Sequence, residues 1–240
     1  MPRLRYNVAA SLDGFIASPD GSTSWIIEDP TIDFPALYSE FDYFIMGRKT
    51  YQVMQSFGAD NPLSKRPKES VMVVSRTMNS DHFPDITVIQ ENVLDYIRHL
   101  KTNEGKDIWL MGGGNLAAQC LEAHLVDTVQ VAIMPTLLGT GIPLASSLPQ
   151  EIKLQLSDST SLGSGIIMTQ YKVMQSPTPT AEYAVANHRV GTNFSKEVAS
   201  GGETRCGIGS YPRRLAASNI CASNDLGCVA HRAEHWVYKI

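Results

Sequence analysis

The chain has 240 residues, 43% of them hydrophobic and 18% charged, with a net charge of −4 and a pI of about 5.9. No apolar stretch approaches the roughly 20 residues that span a bilayer, and the mild acidity provides no global field for nucleic acid. Four cysteines, three of them (Cys206, Cys221 and Cys228) beyond residue 200, do not make a disulfide scaffold.

In chain order, Leu4 to Ala10 predicts a strand. Ser11 and Asp13 interrupt it too soon for a secretory signal, so a cytoplasmic location is expected. Phe34 to Phe41 reads as a helix, Tyr43 to Met46 as a buried strand, and Lys49 to Phe57 as a second helix. Val71 to Ser75 and Ile86 to Ile89 read as strands. Val93 to Lys101 reads as a helix, with Leu94, Ile97 and Leu100 at helical spacing. Asp107 to Met111 is strand-like and runs into Gly112-Gly113-Gly114, which opens a helical run from Asn115 to about Ala123. Val126 to Met134 is a long strand, and Lys153 to Ser157 and Ile166 to Val173 are two more, joined by a Ser/Gly-rich loop.

Strands that alternate with helices predict an α/β fold with a mostly parallel, twisted sheet of about eight strands and helices on both faces. The last two strands have no helix between them and are expected to form an antiparallel C-terminal hairpin. At Ser176-Pro177-Thr178-Pro179-Thr180 the texture becomes that of a linker. Residues 1–175 are therefore expected to be the folded domain and 176–240 a low-complexity, disordered tail. Cys221, Cys228, His231 and His235 form a Cys-x6-Cys-x2-His-x3-His array whose first spacing is wider than zinc sites use, so no metal site is expected.

Three strand ends carry anion-binding chemistry. Gly112 to Gly114 join a strand to a helix, where a backbone without Cβ atoms can approach a ligand and free N–H groups attract phosphate. The structural alternative is a tight turn that binds nothing. The run Gly112 to Ala117 formally satisfies G-x-G-x-x-G/A. It does not occupy the first βα turn, however, and Asp127 stands at the start rather than the end of the following strand. At the second site, Gly47 closes a buried strand, and Arg48, Lys49 and Thr50 start a helix with two cations and a hydroxyl suited to phosphate. Cations there oppose the helix dipole, which favours a bound anion over a bare surface. The third is Val73-Val74-Ser75-Arg76-Thr77, whose arginine between hydroxyls suits a 2′-phosphate. In open parallel sheets, ligands sit beyond the strand carboxyl ends.

These residues resemble a family. Ser11-Leu12-Asp13-Gly14-Phe15-Ile16-Ala17, Ile45 to Tyr51, Val73 to Thr77, Trp109 to Leu116 and Pro135 to Leu144 are similar, in order, to the dihydrofolate reductase-like superfamily. Within it they are closest to the reductase domain of the bifunctional riboflavin-biosynthesis deaminase–reductase and its stand-alone relatives, over residues 3–174. The resemblance implies a dihydrofolate reductase-like fold and NADPH-dependent hydride transfer to a small pyrimidine- or pterin-type substrate. It implies that Gly47, Arg48, Lys49 and Thr50 meet the phosphates on one side, and Gly112, Gly113, Gly114, Asn115 and Leu116 on the other. Ser75 and Arg76 would read the 2′-phosphate, and Ala9 and Ile16 would lie near the nicotinamide.

The resemblance also implies that Asp13, a catalytic candidate, belongs to a loop that folds over substrate and cofactor; a turn-former before Gly14 is its structural alternative. Of Glu28, Asp29 and Asp33, Asp33 is the candidate for the carboxylate that dihydrofolate reductases require, with a helix N-cap as the competing role. The deaminase signatures His-x-Glu and Pro-Cys-x-x-Cys are absent from the 240 residues. The competing readings are a dihydrofolate or pteridine reductase, and an NADPH-binding protein without turnover. By analogy with relatives that pair through late strands, a homodimer is expected; neither nucleic acid nor membrane is an expected partner.

Overall fold

The computed structural model describes residues 1–174. The tail from 176 onward, with its expected disorder and its Cys221 to His235 array, lies outside the described residues. The chain runs β1 (Leu4–Ser11), β2 (Phe15–Ala17), α1 (Phe34–Ser39), β3 (Phe41–Gly47), α2 (Arg48–Ser56), β4 (Val71–Val74) and β5 (Thr87–Ile89). It continues through α3 (Val93–Leu100), β6 (Asp107–Gly112), α4 (Gly114–Glu122), β7 (Val126–Met134), β8 (Ile142–Pro143), β9 (Leu154–Ser161) and β10 (Ile167–Val173).

Eight strands form one sheet in the order β5-β4-β3-β6-β1-β7-β10-β9. The six strands from β5 to β7 are parallel to their neighbours, and β10 runs antiparallel to both β7 and β9. β1 lies near the middle and is buried along its whole length, its polar Arg5, Asn7 and Ser11 included. β7 is paired on both edges, by β1 on one and β10 on the other. The exposed edge is β9, exposed at every residue.

Helices cover both faces. On one, Ile97 and Leu100 of α3 and Leu116, Ala117, Cys120 and Leu121 of α4 pack on Leu4, Tyr6, Val8, Ile45 and Leu110. Cys120 is fully buried, and burial pushes its thiol pKa up to about 12. On the other face, Tyr38 of α1 and Tyr51 and Met54 of α2 pack on Phe41, Phe44, Met46 and Trp109. A third cluster, of Ala9, Ile26, Ala132, Met134 and Ile166, is roofed by Trp25, Ile32 and Phe34.

At the amino ends of the strands, buried Arg5 pairs with Glu40 and Asp107, bonds Gln130, and lies 4.5 Å over the Phe41 ring. A buried charge needs this many partners to avoid a large desolvation cost. The ribbon of β2 with β8 has no counterpart in the sequence reading. Strands of three and two residues are too short to show a period. Among the described residues, no helix is long and apolar enough to cross a membrane.

Candidate active site

The sheet reverses direction at β3 and β6. These strands are parallel neighbours, yet the chain leaves β3 through α2 towards β4 and leaves β6 through α4 past β1 to β7. The two helices cover opposite faces, and both start at the carboxyl ends of these neighbouring strands. Such a crevice, beyond the strand carboxyl ends at a topological switch point, is where open α/β sheets take ligands.

The two glycine turns meet there. A Cβ on Gly47 would lie 3.7 Å from the Gly113 nitrogen and 3.9 Å from the Gly112 oxygen. A Cβ on Gly113 would lie 4.0 Å from the Thr50 hydroxyl, with nothing nearer. Gly112 has a φ of 112°, in the region that favours glycine, and the Gly112–Gly113 peptide is cis. The N-cap residues are Gly47 for α2 and Gly113 for α4, and neither helix has a side-chain cap. Their first-turn N–H groups thus lack intrahelical partners where the helices adjoin.

β4 adds the third strand end. Arg48 Nη1 donates to Thr77 Oγ1 at 3.0 Å, so the cations at the start of α2 reach the turn after β4. The Ser75 hydroxyl, buried, accepts from the N–H groups of Thr77 at 3.3 Å and Met78 at 3.2 Å and shapes that turn. Arg76, Lys49 and Asn115 are exposed. Leu116 packs its side chain in the core, which leaves only its backbone to face a ligand.

The remaining predicted residues are placed differently. Ala9 and Ile16 are both buried but join separate clusters, Ala9 beside Ile26 and Ile16 beside Tyr6 and Val8. Asp33 is the N-cap of α1 and accepts from the Ala36 N–H at 2.9 Å, which fills the capping role rather than that of a pterin-holding acid. Asp29 is buried and bonded to Thr31 and to the N–H of Ser164 at 3.3 Å. The donors of Ser164, then the Thr31 hydroxyl and N–H, hold its carboxyl far below the usual range. Asp13 accepts from the Ser11 hydroxyl at 2.6 Å, the Leu138 N–H at 3.1 Å and the Gly139 N–H at 2.7 Å. The Ser11 hydroxyl and then those N–H groups lower its pKa as well. Asp13, Asp29 and Asp33 are therefore hydrogen-bond acceptors for the protein itself, and the lowered pKa values of Asp13 and Asp29 make these two poor proton donors.

Sequence reading missed Trp25, whose indole N–H is buried with no partner and whose ring packs on the cluster around Ala9. It also missed the close fit of Gly114, where a Cβ would meet the Pro143 oxygen at 2.1 Å. A loop tryptophan has no period to betray it, and the Gly114 contact is between residues far apart in sequence.

The fold is that of a dihydrofolate reductase-like protein. A solved structure from Shewanella sp. PV-4, assigned to riboflavin biosynthesis, matches with a TM-score of 0.62 and 26% identity over 73% of this chain and all of that one. The profile of the RibD C-terminal domain matches residues 2–168, and the chain belongs to that family of reductases related to riboflavin biosynthesis. YyaP, an uncharacterized protein of Bacillus subtilis (strain 168), is 32% identical over 70% of this chain and 94% of its own length. The Thermotoga maritima diaminohydroxyphosphoribosylaminopyrimidine deaminase/5-amino-6-(5-phosphoribosylamino)uracil reductase shares the fold. Its TM-score is 0.53 at 14% identity, over 72% of this chain and 57% of that one.

Proposed function

We propose that the protein is an NADPH-dependent reductase acting on a small pyrimidine-type substrate, in the manner of a 5-amino-6-(5-phosphoribosylamino)uracil reductase. The observation that carries the reading is the meeting of two uncapped helix starts at Gly47 and Gly113, with Thr50 beside Gly113. Backbone N–H groups of both turns suit a pyrophosphate, because a developing or fixed negative charge is stabilised by preoriented donors. The linked Arg48 and Thr77, with Ser75 and Arg76 beside them, suit the 2′-phosphate that distinguishes NADPH from NADH.

NADPH, when bound, supplies the hydride, and the protein supplies binding, orientation and exclusion of water. The unpartnered, buried Trp25 indole N–H beside the cluster around Ala9 is a donor awaiting an acceptor. Asp13, Asp29 and Asp33 all accept hydrogen bonds from the backbone, so each carboxylate is already engaged by the protein. This favours the riboflavin-type reaction over dihydrofolate reduction. Self-association through the exposed β9 edge and a cytoplasmic setting belong to the same reading.

The test has two measurements. Calorimetry is expected to show NADPH binding at least about tenfold tighter than NADH, the effect of one charge-assisted phosphate contact. Equal affinities would remove the role given to Ser75, Arg76 and Arg48. NADPH oxidation should be faster with the phosphoribosylaminouracil than with dihydrofolate; the reverse order would overturn the substrate assignment, and oxidation of neither would leave a binding protein without turnover.

A further inference from the structure

We propose that Asp13 is a positioning residue, whose carboxylate fastens segment 135–146 across the site and so sets the backbone of Gly114 at the start of α4. The proposal rests on the nucleotide reading above and deepens it.

The fastening starts at the loop after β1. The carboxylate of Asp13 takes the N–H groups of Leu138 and Gly139, which stand more than 120 residues away in the chain. A residue that merely formed the local turn before Gly14 would have no need of them. The Ser11 hydroxyl donates to the same carboxylate and accepts the Phe15 N–H at 3.0 Å, which orients Asp13 from below. Beside it, the Leu12 N–H donates to the Thr136 oxygen at 2.8 Å.

From this anchor the segment passes along β2. Ala17 pairs with Ile142 and Phe15 with Pro143, and the Leu144 N–H donates to the Gly14 oxygen at 2.9 Å. Gly141 has no space for a side chain, since a Cβ there would meet the Ala17 oxygen at 2.3 Å. The Tyr6 hydroxyl, rising from β1, donates to the Leu144 oxygen at 2.6 Å. The far end of the segment is wedged against the glycine turn. The Ser146 N–H donates to the Gly114 oxygen at 3.1 Å, and a Cβ on Gly114 would strike the Pro143 and Leu144 oxygens.

Asp13 and Gly114 are thus the two ends of one strap, with backbone hydrogen bonds along its length. Loosening the first end frees the second to move, and the N–H groups of the α4 first turn lose their fixed aim. Preorganised donors bind an anion more tightly than donors that must first be ordered. The effect falls on the pyrophosphate and not on the 2′-phosphate end, which is built from Arg48, Ser75 and Thr77 on different elements.

The test uses the full chain and Asp13→Asn, in which an amide presents its own donor to three converging donors. NADPH and adenosine 2′,5′-bisphosphate, which lacks the pyrophosphate, are titrated by calorimetry into both proteins. Amide hydrogen exchange is followed in peptides covering 112–117 without nucleotide. We expect NADPH affinity to fall about tenfold, the bisphosphate to change by less than about twofold, and exchange at 112–117 to quicken. Unchanged NADPH affinity, or equal losses for both ligands, would overturn the proposal. Where Asp13→Asn does not fold, Ser11→Ala, which removes one donor to the carboxylate, should show the same selectivity at about threefold. A wild-type chain that binds neither nucleotide would overturn the nucleotide reading. Exchange at 112–117 would then decide the strap by itself, with quickening in its favour and no change against it.

Discussion

Neighbouring glycines in the turn after β6 carry different constraints. Gly113 has ordinary φ, and a Cβ there finds only the Thr50 hydroxyl at 4.0 Å, so Gly113→Val should fold with little loss of melting temperature. The added side chain stands in the path assigned to the pyrophosphate, and NADPH affinity should fall at least about a hundredfold, the loss of two good hydrogen bonds to a charged group. Gly114→Ala should lose stability as well, because its methyl meets backbone oxygens that cannot step aside. Overpacking of this kind costs about 1–3 kcal/mol, or roughly 2–4 °C in melting temperature per kcal/mol for a domain of this size. Thermal melts and NADPH titrations of both variants check the pair; unchanged affinity in Gly113→Val removes the glycine turn from the site. Sequence alone marked all three glycines as one motif, because a Gly-Gly-Gly run reads the same whichever member is crowded. What separates them is Pro143, whose approach no local pattern announces.

The regular elements were legible because each buries one stripe or one face. Ile97 and Leu100 face the core as their helical spacing predicts, and β7 runs from Val126 to Met134 as read. The acids were harder, since a carboxylate in a loop looks alike whether it binds substrate or backbone. Asp33 proved to be an N-cap. Asp29 joins the segment before α1 to the turn between β9 and β10 through Ser164. That staple has a pH signature. Its folded pKa lies below the ordinary 3.8, so the stabilisation is complete above that value and is lost as the pH falls through 3.8 towards the folded value. Asp29→Asn, which keeps an acceptor but no longer titrates there, should therefore lose less melting temperature than the wild type between about pH 5 and pH 2. Parallel acid limbs for the two proteins would show that the staple does not contribute.

At the scale of the molecule, one edge of the sheet is left to account for. β9 is exposed throughout, with Leu154 and Leu156 among its outward residues and Ile167 exposed on β10 beside it. An open edge of eight residues is a template for pairing with another chain. Edge pairing between two copies of this chain would make a continuous sheet with two-fold symmetry. Sedimentation should give a dimer for the wild type and a monomer for a Leu154→Lys/Leu156→Lys double variant, with NADPH affinity retained in both. A monomeric wild type at micromolar concentration would exclude this arrangement. Of the late strands expected by analogy to pair, β7 cannot supply an edge, since both of its sides are already bonded.

The thiol of Cys120 turns the site into its own clock. It is the one cysteine among the described residues, it lies near the far end of α4, the helix that the glycine turn opens, and both its burial and its raised pKa protect it from alkylation. Modification at this position therefore requires α4 to lift from the sheet. Peptide mapping distinguishes it from the cysteines beyond residue 200. The rate at which Cys120 is trapped would then report how often the α4 turn opens, with no need to know the substrate, and a ligand held by that turn must slow it.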